Sequence, residues 1–288
     1  MERAIRNRLK ANKTLAEILT HFGGEPAVFY ARTVDDVAME VNYPQIVLSV
    51  DKFTDAIHGV AGLLSVEIIC TTATLTPEPI EKLVRESLEG VFFKGEEIFL
   101  LKWSRTENFE EPAAERTATI IGMQVTFEIR EFPCAITSTP DPIMALNEWA
   151  AHWDGNLFVI GHSEIKDFYE PTKHKPAIYF DVASSKTVSK IYSVVWLEAV
   201  INCHLFAPKV RDRREWLTAL SHAFMSAKAI PLLDHSPMRL QEPTPEINWS
   251  ADEIAGQMKL TVAYGLPKRR VFAIPVLQGT QSNFLKVE

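Results

Sequence analysis

The chain has 288 residues, 47% of them hydrophobic and 23% charged, enough apolar content for a buried core and too much for disorder. Its length suggests about two domains. Thirty basic residues against 37 acidic ones leave a net charge of -7, which argues against a dedicated nucleic-acid binder as a whole.

The start, MERAIRNRLKANK, is basic but has no apolar stretch, so no signal peptide is expected. No apolar run approaches the ~18 residues of a membrane helix, and no membrane partner is expected. Thr14 and Glu17 form a capping-box pattern ahead of Leu15, Ile18 and Leu19, and Gly23-Gly24 would stop that helix after His21. Strands are predicted over 27–30, 46–50 and 63–72. Thr76-Pro77 opens a helix whose apolar stripe is Ile80, Leu83, Val84, Leu88 and Val91. A strand at 98–103 leads into an acidic loop, 104–116. Val125, Phe127 and Ile129 then alternate with polar residues as a half-buried strand.

Residues 133–141, PCAITSTPD, have the composition of a linker. Past it the order recurs. Asp141-Pro142 caps a helix through Trp153, strands follow at 157–160, 178–182 and 194–206, and Trp216, Leu217, Leu220 and Phe224 stripe a second helix. A loop rich in Pro and Glu (about 234–252) precedes a strand alternating at Met258, Leu260 and Val262. Val28 and Val159 match at a spacing of 131. Pro44 and Pro176 match at 132, and Leu64/Leu197, Cys70/Cys203 and Gln124/Gln257 at 133. The expected fold is therefore α+β, with two similar tandem domains, each a mainly antiparallel sheet packed by two helices. The first spans 1–133, a linker 134–142, the second 143–267 and a C-terminal extension 268–288. Residues 1–144 hold 14 basic and 22 acidic residues, and 145–288 hold 16 and 15, so the halves differ in charge, -8 against +1.

Chemistry-bearing motifs are scarce. There is no phosphate-cradling glycine loop, no dinucleotide fingerprint and no clustered histidine spacing, so no cofactor, metal or catalytic residue is expected. Gly161-His162-Ser163 lacks the second glycine of a nucleophile elbow, which makes a catalytic Ser163 a poor reading. Cys70 and Cys203 sit in apolar strands and read as core, and Cys134 as a third reduced thiol. The acidic pairs Asp35-Asp36 and Glu110-Glu111 read as solvated, His21 and His152 as helix ends, and Trp149 and Trp153 as one stacked helix face.

The short helix with its Gly-Gly, the strands PAVFYA and YPQIVLSV, the helix IEKLVRESL and the alternating strand MQVTFEI make residues 14–133 resemble the tail-completion or tail-terminator proteins of tailed bacteriophages. Residues 143–267 resemble them more loosely. That resemblance implies a non-enzymatic protein, assembled in the host cytoplasm and resident in the virion, forming a ring at the head-proximal end of the tail. Such a ring ends tail-tube polymerisation and offers the surface on which the head joins. Its implied partners are copies of itself (six, or three as the alternative), a tail tube or sheath protein, a head-neck connector, and DNA in non-specific passage. Arg3, Arg6, Arg8, Lys268, Arg269 and Arg270 are the candidates to face DNA or a partner. Glu110, Glu111, Pro112, Glu242 and Pro243 are the candidate assembly loops. The alternative is a small-molecule enzyme with a duplicated α+β domain and an active site between its halves.

Overall fold

A computed structural model describes residues 1–31, 43–55, 59–73, 75–111, 119–134, 138–243 and 245–268, with backbone alone at Thr54, Asp55 and Glu111. The fold is α+β, with two curled sheets. Helix α1 (Glu2–Ala11) was not signalled by the sequence, because only Ala4, Ile5 and Leu9 of its ten residues are buried. Helix α2 (Lys13–Ile18) follows at once. Its cap is Asn12, whose side chain accepts from the Leu15 amide, in place of the expected Thr14–Glu17 box. The chain leaves α2 at Leu19 in extended backbone. Gly23 and Gly24, at φ 59° and 84°, instead turn a small hairpin, β1 (His21–Phe22) with β2 (Glu25–Pro26). Positive φ at both turn positions is what such a hairpin demands. His21 is thus an exposed strand residue, not a helix end.

Strand β3 (Val28–Tyr30) lies parallel to β4 (Gln45–Asp55), and β4 turns back into β5 (Val60–Thr71). Helix α3 (Glu78–Leu88) packs Ile80, Val84 and Leu88 onto the sheet. Strand β6 (Phe92–Phe93) then pairs with β7 (Ile98–Glu111), and β7 with β8 (Ile120–Phe132). The acidic loop expected from residue 104 is corrected: 104–111 continue β7, in register with β8 as far as Glu111–Ile120. Polar residues on both faces of an exposed ribbon leave no alternation to read. Gly122 of β8 permits this hairpin to close, since a Cβ there would lie 2.2 Å from the Phe109 ring and 2.5 Å from the Ile68 carbonyl oxygen.

Helix α4 (Pro142–Trp153) begins as expected, with the buried Asp141 carboxylate accepting from the Ile143 and Met144 amides. Strands β9 (Phe158–Val159) and β10 (Phe168–Tyr169) are short. The long hairpin β11 (Ala177–Lys190) with β12 (Val194–Phe206) follows, then helix α5 (Val210–Ala227). Strands β13 (Ala229–Pro231), β14 (Pro237–Leu240), β15 (Glu246–Ile247) and β16 (Met258–Pro267) complete the described chain. Trp149 stacks on Phe224 at 4.4 Å and on Trp153 at 6.1 Å, so the tryptophans bind α4 to α5.

The first sheet runs β10-β6-β7-β8-β5-β4-β3, and the second β13-β14-β16-β12-β11-β9 with β15 beside β16. One apolar cluster lies under each sheet, among the α1–α3 residues in one and the α4–α5 residues in the other. A third, mostly aromatic, cluster joins them: Phe92, Leu100 and Phe132 from the first sheet meet Phe158, Ile160, Tyr179 and Phe206 from the second. Its rings sit 5.0 Å (Phe92–Phe206), 5.1 Å (Phe132–Tyr179) and 5.4 Å (Phe132–Phe206) apart, edge to face. Each such pair adds about 0.5–1.5 kcal/mol beyond burial.

Candidate assembly surfaces

Three arrangements stand out, and the first is a clasp between the halves. Strand β10 pairs antiparallel with β6, adding a second-half segment to the first-half sheet. Arg8 locks it there. Its guanidinium lies 4.5 Å from the Phe168 ring centroid, donates to Glu170 at 2.6 Å and donates to the Ser87 carbonyl at 3.1 Å. Arg8 is thus spent within its own chain. Arg3 and Arg6, on the same helix, are exposed. Lys268 is exposed at the end of β16, where its amide donates to the Ser193 carbonyl in the β11–β12 turn. Arg269, Arg270 and Pro112 lie outside the described residues, as do Asp35 and Asp36.

The second arrangement is a polar network on the second sheet. His204 is buried on β12. Its Nε2 meets the Asp181 carboxylate at 2.6 Å and its Nδ1 meets the Glu253 carbonyl at 2.9 Å. Both neighbours are acceptors, so a ring carrying two N–H groups satisfies both. Asn202 donates to the other Asp181 oxygen at 3.3 Å, and the Gln257 side chain bonds Leu205 through both its amide groups. The segment 248–257 is pinned further by Arg213 to Glu253 at 2.6 Å and, from the first half, by Lys102 to Asp252 at 3.5 Å. Burial opposes the charge on Asp252. The Ala255 amide and Lys102 outweigh it and hold the carboxyl below its usual range. No local pattern announces this network, since its members lie far apart in the chain and match no motif.

The third is the ribbon made by the outer parts of β11 and β12. Residues 183–193 are exposed without a break, and they carry Val188 at 58%, Ile191 at 50% and Tyr192 at 86% exposure. Large apolar groups this open on one hairpin mark a contact surface. Glu110 is exposed on β7, whereas Glu242 and Pro243 are exposed in a turn after β14, so the first lies on a strand and the other two in a loop.

No family model, no curated protein and no solved structure matches the chain.

The remaining candidates have structural employment. Ser163 accepts the Val159 amide at 3.1 Å, closing its own turn. Cys70 and Cys203 are buried; burial pushes the Cys70 thiol up to about 11 and that of Cys203 higher still, so neither offers a ready thiolate. His152 bonds the Glu148 carbonyl in the last turn of α4. No group of three metal-ligating side chains occurs among the described residues. No described helix is long and apolar enough to cross a membrane.

Proposed function

We propose that the chain is a tandem-duplicated structural protein of the tail-terminator kind, forming a closed ring that caps a phage tail tube and receives the head connector. The observation that carries this reading is the strand register. Val28 pairs with Ile46 in the first sheet and Val159 with Ile178 in the second, which fixes offsets of 131 and 132 between the halves. Ile46 pairs with Ile68 and Ile178 with Leu205, so β5 maps onto β12 at 137. Val66 pairs with Val125 and Cys203 with Met258, so β8 maps onto β16 at 133. The same 137 carries the buried Ile80, Val84 and Ser87 of α3 onto the buried Leu217, Ser221 and Phe224 of α5. This supports one correspondence for strands and helix, whose offset changes in the connections and by one residue at the β11 bulge after Val182. In this register the partner of Cys203 is Val66, so the Cys70/Cys203 and Leu64/Leu197 matches at 133 are coincidences of composition.

The same register supports six chains over three. Alternation of equivalent domains around a ring would need the aromatic docking face of the first half, Phe92, Leu100 and Phe132, to recur in the second. Its counterparts are Ala229, Arg239 and Gly265. Head-to-tail contacts that close by rotation then form the ring from whole chains, with Arg3, Arg6 and Lys268 free to meet passing DNA or an acidic neighbour.

Mass photometry at tens of micromolar tests this. A species near six times the 32.5 kDa chain is expected, with ring-shaped class averages by electron microscopy. A strict monomer, still monomeric when mixed with tail tubes, would overturn the reading.

A further inference from the structure

Two strand edges on this molecule are long, open and opposite in charge. Strand β11 has β12 on one side as far as Lys190, with bulges at Ala183 and Val188, but β9 reaches only Ala177 and Ile178 on the other. Strand β7 has β8 on one side, while β6 reaches only Phe99 and Leu100, with a single bridge at Leu101. Beyond these points no described strand covers either edge. Unpaired amides and carbonyls in such a row are a template for another strand.

Resting on the ring reading above, we propose that the β11 edge, residues 183–190, of one copy pairs with the β7 edge, residues 104–111, of the next, and that this pairing is the ring contact. The segments are equally long. ASSKTVSK carries Lys190 and Lys186, the latter paired with Glu198 of β12 at 2.6 Å, and no acid, whereas SRTENFEE carries Glu110, Glu111 and Glu107, the last paired with Arg105 at 3.5 Å. Lysines on an edge repel a second copy of that edge and attract an acidic one, which selects the unlike pairing. The open stretch of β4, residues 49–55, is a poorer partner, with two acids and one lysine. A groove of about 410 Å³ also lies beside β7, where Phe109, Ile121, Met123 and Pro77 sit among Glu78, Asn108 and Glu110, so that it offers both apolar contact to the exposed Val188 and acidic groups to a lysine. Pairing an edge of the second half with one of the first joins unlike surfaces, and where each copy uses its two edges on two different neighbours the contact makes a ring if its rotation closes.

The test uses full-length chains carrying Cys134→Ser, since Cys134 is exposed. One preparation adds Ser185→Cys or Thr187→Cys and the other Asn108→Cys; they are mixed under mild oxidation and read by intact mass. The expected product is the mixed disulfide, at either of the two β11 positions. A Ser185→Cys homodimer in its place would show like-edge pairing and overturn the proposal. A ring by mass photometry with no mixed cross-link would overturn the proposal and leave the ring reading standing; monomers throughout would overturn both. The double variant Lys186→Glu/Lys190→Glu is expected to weaken assembly about tenfold or more, and Glu107→Lys/Glu110→Lys in the same chain to restore it. A loss unchanged by the second pair would also count against the contact.

Discussion

Glu67 and His204 occupy matching places on the central strands of the two sheets, on the face turned away from the helices, and their surroundings have diverged. Around Glu67 the face is lightly furnished; Gln124 donates to Ser65 at 2.7 Å and Ser49 is exposed. Around His204 the corresponding positions are Gln257, Asn202 and Asp181, and segment 248–257 folds over them. The difference follows from what each half does with the chain between its last two long strands. In the first half it extends into the β7–β8 hairpin, which projects. In the second, β14 ends at Leu240 and the chain returns across its own sheet to β16. One scaffold therefore gives an open edge in one half and a roofed face in the other. A ring protein needs such asymmetry if its two ends are to meet different neighbours.

The largest expected effect comes from breaking the link between the halves. Phe92 is fully buried in the aromatic cluster, and Phe92→Ala should cost about 3–5 kcal/mol. Because Trp149, Trp153, Trp196, Trp216 and Trp249 lie in the second half and only Trp103 in the first, tryptophan fluorescence reports chiefly on the second. Denaturation followed by fluorescence and by circular dichroism should coincide for the native chain and separate for the variant. Coincident curves in both would mean that the halves do not depend on this cluster.

Much of the fold was legible. Strand β12 and the Asp141 cap were readable because apolar runs and capping chemistry are local signals. Helices α3 and α5 showed their stripes because one face of each is buried. The clasp was not legible. Strand β10 is two residues long and finds its partner some 75 residues upstream, which leaves no period in the sequence. The aromatic cluster was hidden in plain alternation: Phe93 faces the core of the first half while its neighbour Phe92 faces the second. Among the site candidates, the basic residues were scored by charge alone. Charge could not show that Arg8 already has Glu170 and Phe168 while Arg3 and Arg6 stay exposed.

The next effect sharpens the comparison of faces. His204→Ala leaves Asp181 and the Glu253 carbonyl without their ring partner beneath a covering segment, a loss of about 1–3 kcal/mol. Glu67→Ala, at the matching place, should stay within about 0.5 kcal/mol. Urea midpoints of the two variants measure the contrast, and equal losses would erase the distinction between roofed and open faces. The helix caps give a smaller contrast. Asp141→Ala removes the two cap bonds and a third from the Ser138 amide and should cost about 1–2 kcal/mol, against about 1 kcal/mol for Asn12→Ala, which loses one cap bond and its bond to the Ser87 hydroxyl.

The smallest effect concerns the one ion pair among the described residues that ties the segment 248–257 to the other half. Asp252 is held below its usual range, with the Ala255 amide and Lys102 overcoming the opposing effect of burial. A carboxyl depressed in the folded state stabilises it fully above the unfolded pKa, and that stability is lost as pH falls through the folded value. The pair should therefore contribute at neutral pH and fade below about pH 4. Both partners are substantially exposed, with side-chain accessibilities of 43% for Lys102 and 52% for Asp252, so its worth is about 0.5 kcal/mol or less at low salt. Lys102→Ala should lower the urea midpoint slightly at pH 7 and less as the pH falls below 4, and 0.5 M salt should shrink the difference further. A Lys102→Ala loss that persists undiminished at pH 3 would assign its effect to the packing of the lysine stem on the first sheet. The segment would then meet the other half through Ile254, which packs on the aromatic cluster, rather than through this ion pair.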